Sequence, residues 1–534
     1  MKRKTTSFAV IPLLAALAAA AWSCADSHPE APLPPTPGEE EQNPPTAPSE
    51  PVKGCGLWND FAAGRSEMLP DFSYAGYAWG EKTLPEADYP VFNICDYGAV
   101  ADDGKSDRRA FEAAVKAAID GSRNGAVVYV PAGRFELHDA SDPNTPIIID
   151  CDNIVLRGAG RERSVLAMSA PGEALDGSLW NTPELLSFRY VRSRDDEQTR
   201  LTEITSPASC GSRDIEVASA SGLSVGQRVL VRLAGDRRPE TVAAELAPHP
   251  VDPEFSNLAA EGVKVAEYHT VMRVNGTRAT LYEPLGHEID PRGGWTLHAV
   301  FDRRGCGVED LSFEGAFTEP FSHHKDALHD SGWRILTFLR QAHGWVRRCS
   351  FANVSEALSV MLSCNITVDD CSIEGNAGHS AIRSQASTNI LIRDVADRSG
   401  QYHSVGVSKT ASHTVLLRCE IGASSSFESH CSQPRNTLLD QCRGGLNPDH
   451  AGGDAALGPN HLRGLVLWNY TQESGTAGEF PLWKRNNRFV MPVIAGFVGT
   501  ATFNPSETSA LESLGTPVEP RSLYEAQLKL RLGR

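Results

Sequence analysis

Val346-Arg347-Arg348-Cys349, Val368-Asp369-Asp370-Cys371, Ile392-Arg393-Asp394-Val395, Leu416-Leu417-Arg418-Cys419, Leu439-Asp440-Gln441-Cys442 and Leu465-Val466-Leu467-Trp468 repeat one short pattern. An aliphatic residue leads, two mostly polar residues follow, and a small or apolar residue closes. The leads are 22, 24, 24, 23 and 26 residues apart. Val308-Glu309-Asp310-Leu311 starts the same pattern one long interval earlier. A period in the low twenties, built of short β-prone runs and Gly/Ser/Asn turns, predicts a solenoid. No apolar stripe of helical length fits between the repeats, which disfavours leucine-rich or helical arrays. The reading is therefore all-β: a parallel β-helix with one coil per repeat, stacked at the strand spacing of ~4.8 Å. Cys349, Cys371, Cys419 and Cys442 share one register and read as a buried ladder of small apolar side chains. Their spacing matches no zinc motif.

The chain begins with Lys2, Arg3 and Lys4, then an apolar run from Phe8 to Trp22, then Ser23-Cys24. That is a secretory signal over residues 1–23, too short for a stable membrane span. Cys24 after a small residue resembles a lipobox, which implies lipidation of Cys24 and anchoring to a bacterial outer membrane, with no other membrane contact. Residues 24–54 are rich in Pro, Glu and Thr and read as a semi-extended tether. Removing Cys24 from twelve cysteines leaves an odd number, which speaks against a full disulfide framework. The net charge of −17 argues against nucleic acid as a partner. Residues 321–450 differ, holding twelve Lys/Arg, twelve Asp/Glu and nine of the sixteen histidines. These coils are less negative than the rest and suit an anionic ligand. The expected state is a monomer.

Residues 55–200 read as an N-terminal cap and first coils. Asp71 to Tyr77 is aromatic and turn-rich, and is expected to cross the start of the solenoid. Ser106 or Asp107 is placed to cap a helix whose Phe111, Ala114, Val115, Ala118 and Ile119 share one face; such a helix would close the open end. Residues 201–298 break the pattern with short antiparallel strands and read as a small β insertion. Coils are expected to resume at His298 to Phe313 and to run to residue 475. Residues 476–534 read as a C-terminal cap, with a capping box at Ser522-Leu523-Tyr524-Glu525 opening a terminal helix.

Asp96-Tyr97-Gly98-Ala99 through Asp107, the alanine-rich helix after it, and Tyr129-Val130-Pro131-Ala132-Gly133 resemble the opening of pectin-lyase-like right-handed parallel β-helix proteins. That resemblance implies the handedness of the fold and leaves activity open, because lyases, glycosidases and phage tailspikes share it. Asp71 to Tyr77 and Phe301 to Gly315 also resemble exported bacterial proteins related to polysaccharide lyase family 29. This narrower resemblance implies action on glycosaminoglycans, and carries no catalytic residue over to this chain.

Chemistry on such a fold sits outside the coils. Counting from each repeat's lead residue aligns His379, His403 and His450, with Phe427 in the coil between, and separately Gln385, Lys409 and Gln433. Arg383, Glu428 and His430 fall beside these ladders. Cleavage of a uronic-acid polymer by β-elimination needs a cationic clamp for the carboxylate, a base and an acid. Arg383 suits the clamp, His403 or Lys409 the base, and His379 or His430 the acid. Gln385, Gln433, Glu428, Arg435, His323, Lys325, Arg340, His343 and Trp333 are the expected substrate-binding residues. The run His323-His324-Lys325-Asp326 with His329 and Asp330 is loop-prone and lines the groove or holds a metal. Ca2+ bridging uronates through oxygen is open, although no acidic cluster falls on consecutive outer coils. The expectation is a polysaccharide lyase on an acidic substrate. A glycoside hydrolase, needing two carboxylates roughly 5–10 Å apart, and a non-catalytic glycan-binding solenoid are the alternatives.

Overall fold

The computed structural model describes residues 53–534, apart from residues 67, 122–123, 192–198, 449 and 485–486. The signal, Cys24 and nearly all of the tether lie outside the described residues. The chain winds as a right-handed parallel β-helix with three long parallel sheets. The first has twelve strands, from Val91–Asn93 at one end to Ala510–Glu512 at the other. The second has nine strands and the third seven. The third runs from Ile147–Ile149 through Arg334–Leu339, Glu356–Met361, Ser380–Gln385 and Gly406–Ser408 to Glu428–Ser429.

The repeat leads do stack. Val346 pairs with Val368, Val368 with Ile392, Ile392 with Leu416, and Leu416 with Leu439. All five side chains are buried in the main core. The last repeat differs: Leu439 pairs with Leu467, and Leu465 with Thr437. The turn before that strand is longer than the repeat spacing implies. The four cysteines form the expected interior ladder, each thiol donating to a backbone carbonyl, such as Cys442 Sγ to Leu416 O at 3.2 Å. None of these four forms a disulfide. The corners after the third sheet carry His343, Asn365, Asn389, His413 and Asn436, all at φ between 49° and 58°. This left-handed corner is one that Asn adopts at little cost, so its two histidines hold Asn-like corner positions.

The helix Arg108–Gly121 buries Phe111, Ala114, Val115 and Ala118 over the first coil. The other end differs from the sequence expectation. The first sheet continues beyond residue 475, through Val493–Ala495 to Ala510–Glu512. The terminal helix Leu523–Leu532 starts at the expected Ser522 cap, yet lies along the outer face of the first sheet. Leu523 and Tyr524 cover Leu391, Val415, Leu438, Val466 and Trp468 there, together with Phe72 and Ala75. Phe72 N donates to Gln527 Oε1 at 2.9 Å, and Tyr524 Oη to Ala75 O at 2.9 Å. Asp71 to Tyr77 therefore crosses the middle of the stack, not its start: Tyr77 N donates to Thr367 Oγ1 at 2.8 Å. Leu391, Val415, Leu417, Leu438, Val466 and Trp468 make an apolar patch on the outside of the first sheet, and both segments are drawn onto it.

Between Arg200 and Ala299 six strands form an antiparallel sheet with its own core. It also carries the helices Pro239–Leu246 and Ser256–Glu261, which the sequence reading lacked because both are under three turns long. Thr296–Ala299 belongs to this sheet, and coils resume at Gly307–Glu309. This corrects the expected restart at His298.

Asp440 is fully buried, accepting from Ser522 Oγ at 2.7 Å and Tyr524 N at 2.8 Å. Burial raises its carboxyl pKa to about 7 despite these donors. Folding thus favours the protonated form over an unfolded value near 4. The contribution is complete below about pH 4 and is lost as pH rises through about 7. Urea denaturation at about pH 5 and about pH 8 should show the wild type losing on the order of 2–4 kcal/mol relative to Asp440→Asn. Parallel pH profiles for the two proteins would contradict this.

Candidate functional site

The third sheet and the turns leading into it bring distant residues together. His379 precedes the strand Ser380–Gln385, His403 precedes Gly406–Ser408, and Glu428 lies on the next strand with His430 beside it. Ser380 pairs with His403 across coils, and Gly406 pairs with both Arg383 and Glu428. A Cβ on Gly406 would meet the Glu428 carbonyl oxygen at 1.9 Å, so glycine is what allows these coils to close up. The loop 316–331 lays Phe321, His323 and His324 over the same spot. His379 and His403 ring centroids are 5.0 Å apart, His403 and His430 5.0 Å, and His323 and His403 5.3 Å.

Glu428 is the charge at the centre. It is wholly buried, with Oε2 2.8 Å from His403 Nδ1 and Oε1 hydrogen-bonded to His430 Nδ1. Burial opposes its ionisation, but His403 and His430 outweigh that and hold its pKa well below the usual carboxylate range. His403 is 2% exposed. Burial lowers its pKa to about 4 against the opposing pull of Glu428, so the ring is neutral at neutral pH. Its Nε2 has no hydrogen-bond partner. Burial, then the surrounding imidazoles, push His323 down to about 3. Neutral His403 and His323 thus lie close to one ionised carboxylate.

A second strip runs along the face of the third sheet. Glu356 Oε2 sits 3.0 Å from Arg334 Nε, and Glu356 Oε1 3.7 Å from His379 Nδ1. Burial would raise the Glu356 pKa, but Arg334 above all, with His379 and Arg383, brings it down to about 2. Arg383 donates to Ser380 Oγ at 2.8 Å and keeps Nε unpartnered. Gln385 donates to Ser359 Oγ at 2.6 Å. Partial desolvation, then Arg383 and Arg334, lower the Lys409 pKa. Lys409 is one position off the expected ladder: Gln385 pairs with Ser408, because this coil is one residue shorter than its predecessor. The walls carry aromatic rings. Trp180, 47% exposed, lies 4.7 Å from the His324 ring. Tyr402 stacks on His323 at 3.9 Å and stands edge-on to His403 at 4.8 Å.

His379, Arg383, His403, Lys409, Glu428, His430 and His323 therefore share one region, with Gln385 on the same strand as Arg383. Lys325 is exposed at its rim, beside Glu319 and His329. His450 reaches it from the far side, 5.2 Å from the Tyr402 ring. Glu428 is sealed beneath the imidazoles, so its expected contact with substrate is replaced by contact with two histidines. Gln433 and Arg435 hold the insertion instead: Gln433 Oε1 accepts from Lys264 N at 2.7 Å, and Arg435 Nη1 meets Glu245 Oε2 at 3.2 Å. Arg340 donates to Tyr190 O, and His343 packs on Trp79, both at corners away from the imidazoles. Trp333 is 5% exposed in the solenoid core. Glu356, Arg334, Tyr402, Phe321 and Trp180 were missed. Glu356 lies one 24-residue period before Ser380, and Tyr402 adjoins His403, so both were within reach of the repeat; Trp180 sits in a long inter-coil loop with no period to reveal it.

Residues 91–178 match a family described as "Rhamnogalacturonase A/epimerase, pectate lyase-like", and residues 400–534 match "Domain of unknown function (DUF4955)". The chain is 32% identical over 114 residues to mannuronan C5-epimerase AlgE3 of Azotobacter vinelandii, covering 21% of this chain and 6% of that protein. It is 32% identical over 87 residues to AlgE4 of the same organism, covering 16% and 14% respectively. The chain thus spans a small part of the curated relatives it matches. The tailspike protein gp49 of Pseudomonas phage LKA1 aligns over 79% of this chain and 80% of that one, at 15% identity and TM-score 0.42. The chain has the pectate-lyase-like parallel β-helix. The narrower resemblance to polysaccharide lyase family 29 gains no support from these matches.

Glu428→Gln removes the negative charge beside His403 Nδ1. The His403 imidazole should then titrate below its value of about 4, read by NMR from its ring protons. Titration unmoved by the substitution would show that the carboxylate does not act on this ring.

Proposed function

We propose that this protein is a polysaccharide lyase that cleaves uronic-acid-containing chains by β-elimination. The observation that carries this reading is His403: a buried, neutral imidazole whose Nδ1 lies 2.8 Å from an ionised carboxylate and whose Nε2 has no hydrogen-bond partner. That is the equipment of a general base. The substrate carboxylate lies against Arg383 and Lys409, whose charges stabilise the enolate as it forms. His403 Nε2 takes the C5 proton, and Glu428 stabilises the imidazolium that results. Electrons of the broken C5–H bond form the C4–C5 double bond as the C4–O4 bond breaks. His430, hydrogen-bonded to Glu428 through Nδ1 and 30% exposed on its side chain, gives a proton to the departing O4. Trp180 offers an exposed face to a sugar ring.

Hydrolysis fits less well. It requires one protonated and one ionised carboxyl flanking the bond, whereas Glu356 and Glu428 are both held ionised by neighbouring cations or imidazoles. C5 epimerisation is the second reading, favoured by the partial likeness to mannuronan C5-epimerases. It shares the proton removal and differs in returning a proton to the opposite face. In the proposed setting the protein is exported as a monomer, held at the outer membrane by lipid on Cys24, with residues 24–54 as tether. Palmitate labelling of cells should mark the wild type and not Cys24→Ala; equal labelling would remove the anchor.

A panel of acidic polysaccharides tests the activity. At least one should yield ultraviolet-absorbing unsaturated ends, and His403→Ala should lower kcat/KM by about 10²–10⁴-fold. Deuterium entering C5 from solvent without chain cleavage would establish the epimerase instead. Reducing ends without absorbance, or saturable binding with no change in the polymer, would overturn both readings.

A further inference from the structure

Beside His403 lies a second constellation that the elimination step leaves unused. His323, His324 and His379 each present a ring nitrogen, and these atoms lie within 4.8 Å of one another. His379 is 4% exposed, yet neither of its ring nitrogens has a hydrogen-bond partner; His323 Nε2 is buried and equally unpartnered. Leaving such groups unsatisfied is unfavourable, and a bound ligand at their common focus would remove that cost. The loop is shaped for this. His324 has a left-handed backbone, φ 59°, and its N–H donates to Asp330 Oδ1 at 3.1 Å, so two adjacent histidines both reach His379. His379 is flanked on both edges by carboxylates: Nε2 lies 3.9 Å from Asp330 Oδ1 and Nδ1 3.7 Å from Glu356 Oε1. Whichever nitrogen faces a metal, the other faces an acid that can orient the ring.

We propose that His323, His324 and His379 bind a transition-metal dication of the zinc class, with a coordination place left open towards the groove. Three imidazoles are the donor set of zinc, cobalt or nickel, whereas calcium and magnesium take oxygen. Three protein ligands with an open place is also the pattern of sites that meet substrate. The neighbouring trio of His403, Glu428 and His430 has similar spacing, but its Glu428–His430 hydrogen bond already satisfies two of its donor atoms. The role of the metal rests on the lyase reading: its open place would receive an oxygen of the uronate carboxylate, adding to Arg383 in stabilising the enolate. Binding itself does not rest on that reading.

The test uses untagged protein loaded with Zn2+ or Co2+ and freed of loose ion. Elemental analysis should find about one equivalent per chain, and Co2+ should give the intense visible bands of a low-symmetry nitrogen site. His379→Ala and His323→Ala should lose the metal. His324→Ala, at an exposed position, should weaken it at least about tenfold. His430→Ala should retain it, and excess Ca2+ should not displace it. No stoichiometric binding by the wild type, or binding that survives His324→Ala and His379→Ala together, would overturn the site. Metal bound and lost with these variants, in a protein yielding no unsaturated product, would uphold the site and overturn the lyase reading instead.

Discussion

In-register parallel pairing is the constraint from which the rest follows. Each coil must return to the same three sheets after one circuit, so residues about two dozen apart in sequence become neighbours. The repeat fixes the interior first: aliphatic side chains pile on aliphatic ones, and thiols on thiols. It then fixes the exterior, because a strand whose inward residues are set has its outward residues set as well. A single residue gained or lost in a turn moves the outward side chains of the strand that follows, until the next corner restores the register. The coil from Gln385 to Ser408 shows this, carrying Lys409 one position along from Gln385.

The site is a consequence of packing polar groups where strands enter the third sheet. Imidazoles crowded there cannot all carry protons, since burial and mutual repulsion both oppose it. Glu428 keeps its charge there because His403 and His430 stand against it. Neutral, desolvated imidazole beside fixed negative charge is a state suited to accepting a proton or a cation. Arg334 and Arg383 hold the adjoining strip positive around Glu356. Imidazoles and guanidinium groups thus share one face without neutralising each other.

Much of this was legible in the sequence, and the failures have physical reasons. Strand pairing from Val308 to Leu439 followed from aliphatic spacing alone, because the interior tolerates few alternatives. The convergence of His379, His403, Glu428, His430 and Arg383 followed from the same spacing. His343 was misplaced because its backbone sits at a left-handed corner that asparagine fills in neighbouring coils, which composition does not reveal. Trp333 was placed among the substrate-binding residues, but the turn before Arg334–Leu339 packs it into the core. Gln433 and Arg435 lie on the correct coil but beyond the third sheet, where the insertion docks through Lys264, Gly262 and Glu245. Contacts between segments some 170–190 residues apart leave no trace in a local pattern. The terminal helix was recognised from its cap, while its resting place depended on an apolar outer sheet face that only the assembled coils display.

The central claim is that stacked coils build one binding trough across the third sheet and its entry turns. A crystal structure of His403→Ala soaked with a uronate oligosaccharide tests it most directly. The account predicts a sugar ring against Trp180, its carboxylate on Arg383, and its C5 hydrogen directed at the space left by the imidazole. An oligosaccharide bound along another face of the solenoid, with this trough empty, would contradict it.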